Sequence, residues 1–241
     1  MSMLRKILSD VVSLLFPREC AVCGEALADG EEGICSKCRF RIPMTGFAEV
    51  ECNPMMERLS AQVPIEHASA LFYFVAESDW RKVIHDFKYH GRWAYARRLG
   101  IWYGHILQQS GNYEDIDLVV PVPLHIRKRL HRGYNQSDYI ADGIASVLGV
   151  KVAHHALERL VNNESQTHHQ RNERWKNVDG IFHLREAEQL AGRHILLVDD
   201  VFTTGATIIS CCDAILAECK GVKISVVTLA VSQKEFGFDR F

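Results

Sequence analysis

The sequence predicts an α/β fold: a mostly parallel sheet flanked by helices, preceded by a small cysteine module. Three observations predict it. From Asp115 onward, short apolar runs alternate with runs of helical period, the pattern of strand-helix-strand units. The run Ile195-Leu196-Leu197-Val198 is apolar at every position and leads into two acids, as a buried strand does. Cys20, Cys23, Cys35 and Cys38 form two Cys-x-x-Cys pairs at one end of the chain, which sets that end apart.

The elements follow in order. Residues 1–45 hold a helix and the paired cysteines. Leu4, Ile7, Leu8, Val11, Val12 and Leu15 recur at helical spacing until Pro17. This predicts an amphipathic helix packed on the protein's own body, rather than a signal peptide. Residues 46–113 are a connecting region, with a strand over 68–74, helices over 80–90 and 93–109, and a turn at Gly111-Asn112-Tyr113. Residues 114–241 are the core domain. It has strands over 118–122, 151–160, 194–200 and 223–231, and helices over 135–148 and 207–219. Residues 162–177, polar and without a clean period, predict a long mobile loop.

Composition narrows the function classes. The 241 residues are 47% hydrophobic and 24% charged, enough apolar material for a core. A net charge of −2, from 28 basic and 30 acidic residues, excludes a generic polyanion binder; any nucleic-acid surface must be local. No apolar run approaches the ~18 residues a membrane helix needs. Eight cysteines without a signal peptide point to a reducing cytoplasm.

The richest string is Ile195-Leu-Leu-Val-Asp-Asp-Val-Phe-Thr-Thr-Gly-Ala-Thr207. An apolar strand runs into Asp199 and Asp200, then into a Thr/Gly loop that opens a helix. The carboxyl edge of a sheet is where open α/β folds bind ligands. A helix N-terminus offers unpaired N–H groups and a positive dipole end to a phosphate. Gly205 lets the backbone approach closely. Thr203, Thr204 and Thr207 add hydroxyls, and the two acids can accept from vicinal sugar hydroxyls. A Walker-type loop fits less well, because no Gly-Lys-Ser/Thr follows. The string resembles the signature by which type I phosphoribosyltransferases bind phosphoribosyl pyrophosphate (PRPP). That resemblance implies ribose contacts from Asp199 and Asp200. It implies 5′-phosphate contacts from the loop Thr203, Thr204, Gly205, Ala206 and Thr207.

Upstream, Asp117-Leu-Val-Val-Pro-Val-Pro is followed by Arg127, Lys128, Arg129 and Arg132, then Gly133-Tyr134-Asn135-Gln136. The basic run is expected to be a loop at the strand's exit, where clustered guanidiniums suit a pyrophosphate; a solvated basic face is the commoner meaning of such a run. This string, with Phe87-Lys88-Tyr89-His90-Gly91, Gln166-Thr167, Arg174, Asn177 and Phe182, resembles the ComF family of competence-associated phosphoribosyltransferase-like proteins. The paired cysteines match that family's zinc module. His168-His169 departs from it, where an apolar residue is expected nearby.

The resemblance implies a type I phosphoribosyltransferase-like core with an N-terminal zinc-ribbon-like module. It implies Arg127, Arg132 and Lys88 as catalytic cations, Mg²⁺ accompanying PRPP, and a loop over 162–177 carrying Arg171 and Arg174. The acceptor would be read in a hood, here residues 64–113, which shows no purine- or pyrimidine-reading signature. It also implies a role in DNA uptake, with single-stranded DNA and a competence helicase as partners. The alternative is a non-catalytic, phosphate-sensing accessory protein of the uptake machinery.

Two Cys-x-x-Cys turns with Cys20, Cys23, Cys35 and Cys38 suit a structural zinc site; a redox pair is the rival reading. Arg81, Lys82, Lys88, Arg92, Arg97 and Arg98 alternate with Trp80, Phe87, Tyr89, Trp93 and Tyr95. Such a set stacks bases and pairs phosphates in single-strand binding, or is a helix with its aromatics turned inward. The adjacent pairs His154-His155 and His168-His169 read as surface or packing.

Overall fold

A computed structural model describes residues 18–74, 78–161 and 180–236. The expected N-terminal helix and the loop over 162–177, with Gln166, Thr167, Arg171, Arg174 and Asn177, lie outside the described residues.

The chain opens with α1 (Ser36–Phe40), which carries Cys38. Next comes α2 (Pro54–Ser60), started by the Asn53 side chain, whose Oδ1 accepts from the N–H groups of Met55 and Met56. Then follow β1 (Ala68–Phe74), α3 (Trp80–Tyr89) and α4 (Trp93–Ser110). β2 (Leu118–Pro121), α5 (Ile126–Arg132), α6 (Gln136–Leu148) and β3 (Lys151–Val152) come next. β4 (Leu157–Arg159) and β5 (Phe182–Leu184) precede a single turn, α7 (Ala187–Leu190). β6 (His194–Phe202), α8 (Ala206–Glu218) and β7 (Lys223–Ser232) complete the order.

Five strands form one sheet in the order β1-β7-β6-β2-β3, and every pairing in it is parallel. The central strands are covered on both faces, so β6 and β7 are buried almost throughout. The strand that follows β2 lies on one side of it, and the strand that follows β6 lies on the opposite side. The gap between β2 and β6 is therefore the switch point of the sheet, where open α/β folds hold ligands beyond the carboxyl ends.

One face of the sheet is covered by α4 and α6, which touch backbone to backbone. A Cβ on Gly100 would stand 2.4 Å from the Ile140 carbonyl oxygen, and one on Gly143 would stand 2.3 Å from that of Arg97. This approach seats the N-terminus of α6 beside β6. The stretch 46–113, read as a connecting region, supplies an edge strand of the main sheet, since β1 pairs with β7 from Ala68↔Val226 to Phe74↔Ser232.

Two expectations need correction. The single strand over 151–160 is two elements. β3 joins the main sheet beside β2, while β4 pairs antiparallel with β5 in a separate two-stranded sheet. A turn at His154 and His155 divides them, held by His154 against Asp138 and Asp142. Apolar positions Val152, Ala153, Ala156 and Leu157 do not alternate as one strand requires. The basic run after β2 is not a loop but the helix α5. The His125 side chain accepts from the Arg127 N–H at its start, and Gly133 closes it in the left-handed conformation.

Candidate functional site

A cleft of about 400 Å³ opens at the carboxyl ends of β1, β2 and β6. Its floor is Phe74, Val122, Pro123, Leu124 and Val201. Asp199, Asp200, Thr203 and Thr207 enter from β6 and the turn into α8; Arg81, Ile84, His85, Lys88 and Tyr89 enter from α3. Lys128 and Arg132 enter from α5, Gln136 from α6, and Arg159 from β4. Five basic side chains, Arg81, Lys88, Lys128, Arg132 and Arg159, line it against the two acids, so the cleft suits an anion.

Each side chain has a positioning cause. Trp80, Val83, Ile84 and Phe87 are buried at helical spacing, which fixes the rotation of α3. Tyr134 further clamps it by donating its hydroxyl to the Phe87 carbonyl. Lys88 then faces the acids. Lys128 and Arg132 lie one turn apart, on one side of α5. Arg127 lies off that side, exposed and outside the cleft lining. The structure thus brings together Lys88 and Arg132 of the three predicted catalytic cations, and leaves Arg127 in solvent. Arg132 is held over the Tyr89 ring at 4.9 Å and donates to Gln136 Oε1 at 3.1 Å.

The acids differ. Asp200 is buried, and its Oδ2 accepts from Gln136 Nε2 at 2.7 Å and Lys88 Nζ at 2.9 Å. Asp199 Oδ1 accepts from Ser137 Oγ at 3.1 Å and from the Asp200 N–H at 2.8 Å. Burial, and then the Asp200 charge, push Asp199 up to about 7, against the opposing pull of its N–H partner, Lys88 and Ser137. Gln136 and Ser137 were missed as site residues. Gln136 stood in the family-like string without a role, and nothing local to it signals a partner 64 positions away.

Gly205 takes φ +87°, and a Cβ there would meet Phe202 at 3.0 Å; this turn therefore requires glycine. Thr203 and Thr207 reach the cleft, whereas Thr204, Gly205 and Ala206 do not line it. Thr204 Oγ1 instead accepts from the Ala206 N–H at 3.5 Å.

The aromatic-basic set on α3 and α4 separates into parts. Trp80 and Phe87 are core residues and cannot stack on bases. Lys82 pairs with Asp79 and Arg92 with Asp86. Tyr89 and Trp93 remain exposed, with Trp93 stacked on Tyr139 at 4.9 Å.

The four predicted metal ligands come together. Cys20, Cys23, Cys35 and Cys38 place their sulfurs within 4.8 Å of one another, with Cys23 and Cys35 at 3.8 Å. Four sulfurs on a tetrahedral zinc stand roughly 3.8 Å apart for ~2.3 Å bonds, so the set fits. Cys35 N–H donates to Cys20 Sγ at 3.3 Å. Burial raises the Cys20 thiol, but the N–H groups of Cys35, Cys23 and Val22 outweigh it and bring the thiol down to about 7, whereas burial and the neighbouring cysteines push Cys38 up, so Cys20 is the first of the set to become a thiolate. Glu31 steadies the second knuckle by accepting from the N–H groups of Ala28 and Ser36 and the Ser36 hydroxyl. No helix among the described residues is long and apolar enough to cross a membrane.

A parallel sheet carrying this acid pair and Thr/Gly turn defines a phosphoribosyltransferase-type domain, and residues 136–237 match the phosphoribosyl transferase domain. Residues 11–57 match the double zinc ribbon domain. The chain is 29% identical to "DNA utilization protein YhgH" of Salmonella typhimurium over 210 residues, 81% of this chain and 89% of that protein. It is 33% identical to "Competence protein ComFC" of Bacillus subtilis over 112 residues, 46% of this chain and 43% of that protein. It is 29% identical to "Competence protein F" of Haemophilus influenzae over 93 residues, 38% and 41% of the two chains. With both domains in this order, the chain is similar to these DNA-utilization and competence proteins over both its modules, consistent with the ComF family.

Proposed function

We propose that the cleft binds PRPP with Mg²⁺, and that the protein transfers the phosphoribosyl group to an acceptor. One observation carries this reading. An acid pair, a Thr/Gly turn at a helix N-terminus and a basic rim share one cleft at the switch point of the sheet. Asp199 and Asp200 would accept from the ribose hydroxyls. Thr203 and Thr207, which line the cleft at the N-terminus of α8, would hold the 5′-phosphate. Lys88, Lys128 and Arg132 would face the pyrophosphate, with Mg²⁺ mainly on the ligand's own oxygens. In the transfer, the bond from the anomeric carbon to pyrophosphate breaks as the acceptor's nucleophile bonds to that carbon. The protein's part is positioning and charge stabilisation.

The relatives' names tie the reading to DNA utilization and competence, and the zinc thiolates suit a reducing compartment such as the cytoplasm. A second reading rests on the exposed Tyr89 and Trp93 beside the basic rim. In it, the same cleft senses a phosphorylated ribose, while this aromatic strip holds single-stranded DNA for an uptake helicase. Calorimetric titration of the zinc-loaded protein with PRPP, with and without Mg²⁺, tests the first reading. Saturable Mg²⁺-dependent binding supports it, and pyrophosphate release with candidate acceptors then identifies the transfer. Absence of PRPP binding, together with salt-dependent binding of single-stranded DNA, would replace it with a DNA-partner role.

A further inference from the structure

Asp200 is engaged by two donors of the protein itself. Lys88 Nζ stands 2.9 Å from its Oδ2, with the lysine side chain 22% exposed and the aspartate side chain 7% exposed. This is therefore not a solvated surface pair that separates freely. Gln136 Nε2 occupies the same oxygen at 2.7 Å. The two donors differ in what can replace them. A sugar hydroxyl donates a hydrogen bond and can stand in for the amide. It brings no charge, so a displaced ammonium keeps, of the acids on the lining, only Asp199 near it, and that carboxylate is already taken by Ser137 and the Asp200 N–H. The other cations on the lining, Lys128, Arg132 and Arg159 among them, offer that ammonium repulsion alone.

Resting on the reading of the cleft as a PRPP site, we propose that Lys88 is a displaceable counter-ion that sets ligand selectivity. A ligand must bring its own anionic group next to the vicinal diol, so that the ammonium exchanges Asp200 for that group as the hydroxyls take the carboxylate. PRPP does so: its pyrophosphate leaves from the anomeric carbon, adjacent to the diol. Ribose 5-phosphate does not, because its single phosphate belongs at the Thr203–Thr207 turn, which has donors of its own. Lys88 thus discriminates between two ligands that share the ribose and the 5′-phosphate. It comes from α3, outside the segment that carries the acids and the phosphate turn, so the discriminating charge and the shared recognition elements are separable by mutation.

The test is calorimetric titration of the full zinc-loaded chain with PRPP and with ribose 5-phosphate at fixed Mg²⁺, in the wild type, Lys88→Met and Lys88→Arg. The wild type is expected to prefer PRPP. In Lys88→Met the ribose 5-phosphate affinity holds or rises, the PRPP affinity falls, and the preference shrinks about ten-fold or more, the scale of one buried charge pair. Lys88→Arg keeps most of the preference. A preference unchanged in Lys88→Met, or an equal loss for both ligands, would overturn the proposal and leave the PRPP reading standing. A wild type that binds neither ligand would remove both. A measurement on the intact chain covers the case in which Lys88→Met fails to fold. The Lys88 side-chain resonance, assigned by its loss in Lys88→Arg, should move with PRPP and stay in place with ribose 5-phosphate. Equal movement with both ligands contradicts the exchange.

Discussion

The cysteine module takes its four ligands from one short stretch of chain, Cys20 to Cys38, whereas the cleft takes its walls from segments as distant as Phe74 and Thr207. The module closes around local turns whose four sulfurs suit a zinc ion, and its Val22, Ile34 and Ile42 pack into the same apolar cluster as α3 and α4. The cleft exists only once β1, β2 and β6 are registered in one sheet, and α4 and α6 have seated the helices that bring Lys88, Gln136 and Ser137 to the acids. Local sites are held by their own spacing; assembled sites are held by the packing beneath them. The two should therefore fail separately and for different reasons.

The largest expected effect is on the module. Zinc withdrawal by a chelator, or Cys38→Ser, removes binding energy on the order of 10 kcal/mol from a module whose remaining hold is the packing of Val22, Ile34 and Ile42 into the same apolar cluster as α3 and α4. Residues 18–45 should lose protection from hydrogen exchange while β6 keeps its own. Equal loss in β6 would show that module and sheet form one cooperative unit.

Next is the packing beneath the cleft. Gly143→Ala forces a methyl against the Arg97 carbonyl and should cost about 1–3 kcal/mol in a denaturant melt, with the zinc module unaffected. Asn53 has a comparable role at the start of α2. Its side chain caps the helix and donates to the carbonyls of Phe47, Val50 and Ala68. Asn53→Ala removes the helix cap and the amide donor to the buried Ala68 carbonyl, and should cost about 1–3 kcal/mol. A change well below 1 kcal/mol in either variant would mean that the backbone relaxes around the site.

The last effect is a pH slope. Asp199 rises from its ordinary 3.8 to about 7 in the fold, so the folded state binds the extra proton between those values. Its contribution to stability is present in full below about pH 4 and is lost as the pH rises through about 7. Asp199→Asn should therefore flatten the decline in the denaturant midpoint between about pH 4 and pH 7. An unchanged slope assigns the decline to another group.

Much of this architecture was legible in the sequence, for physical reasons that differ by site. β1, β6, β7 and the helices α3, α4 and α6 stand where long apolar or helical-period runs place them, because burial on both faces of a strand, or one face of a helix, dictates residue type. The four cysteines were legible because their spacing is itself the site. α2 escaped notice although Asn53-Pro54 is a cap followed by a first-turn proline, since its seven residues are too few to show a period. The split of 151–160 escaped because what divides it is an interaction of His154 with acids on α6. In the cleft the acids and the phosphate turn were legible as one contiguous string. Their partners Gln136 and Ser137 were not, because only the close crossing of α4 and α6 brings them there. Arg127 and Arg132 look alike in sequence, and only the helical twist of α5 separates the solvent-facing residue from the cleft-facing one.

The most direct test of the central claim compares the wild type with Asp199→Ala/Asp200→Ala, both zinc-loaded, in calorimetric titrations with PRPP and Mg²⁺. The account predicts saturable binding by the wild type, and none by the double variant, which should retain its far-ultraviolet dichroism and its cooperative melt. Undiminished PRPP affinity in a folded double variant would contradict the assignment of the cleft.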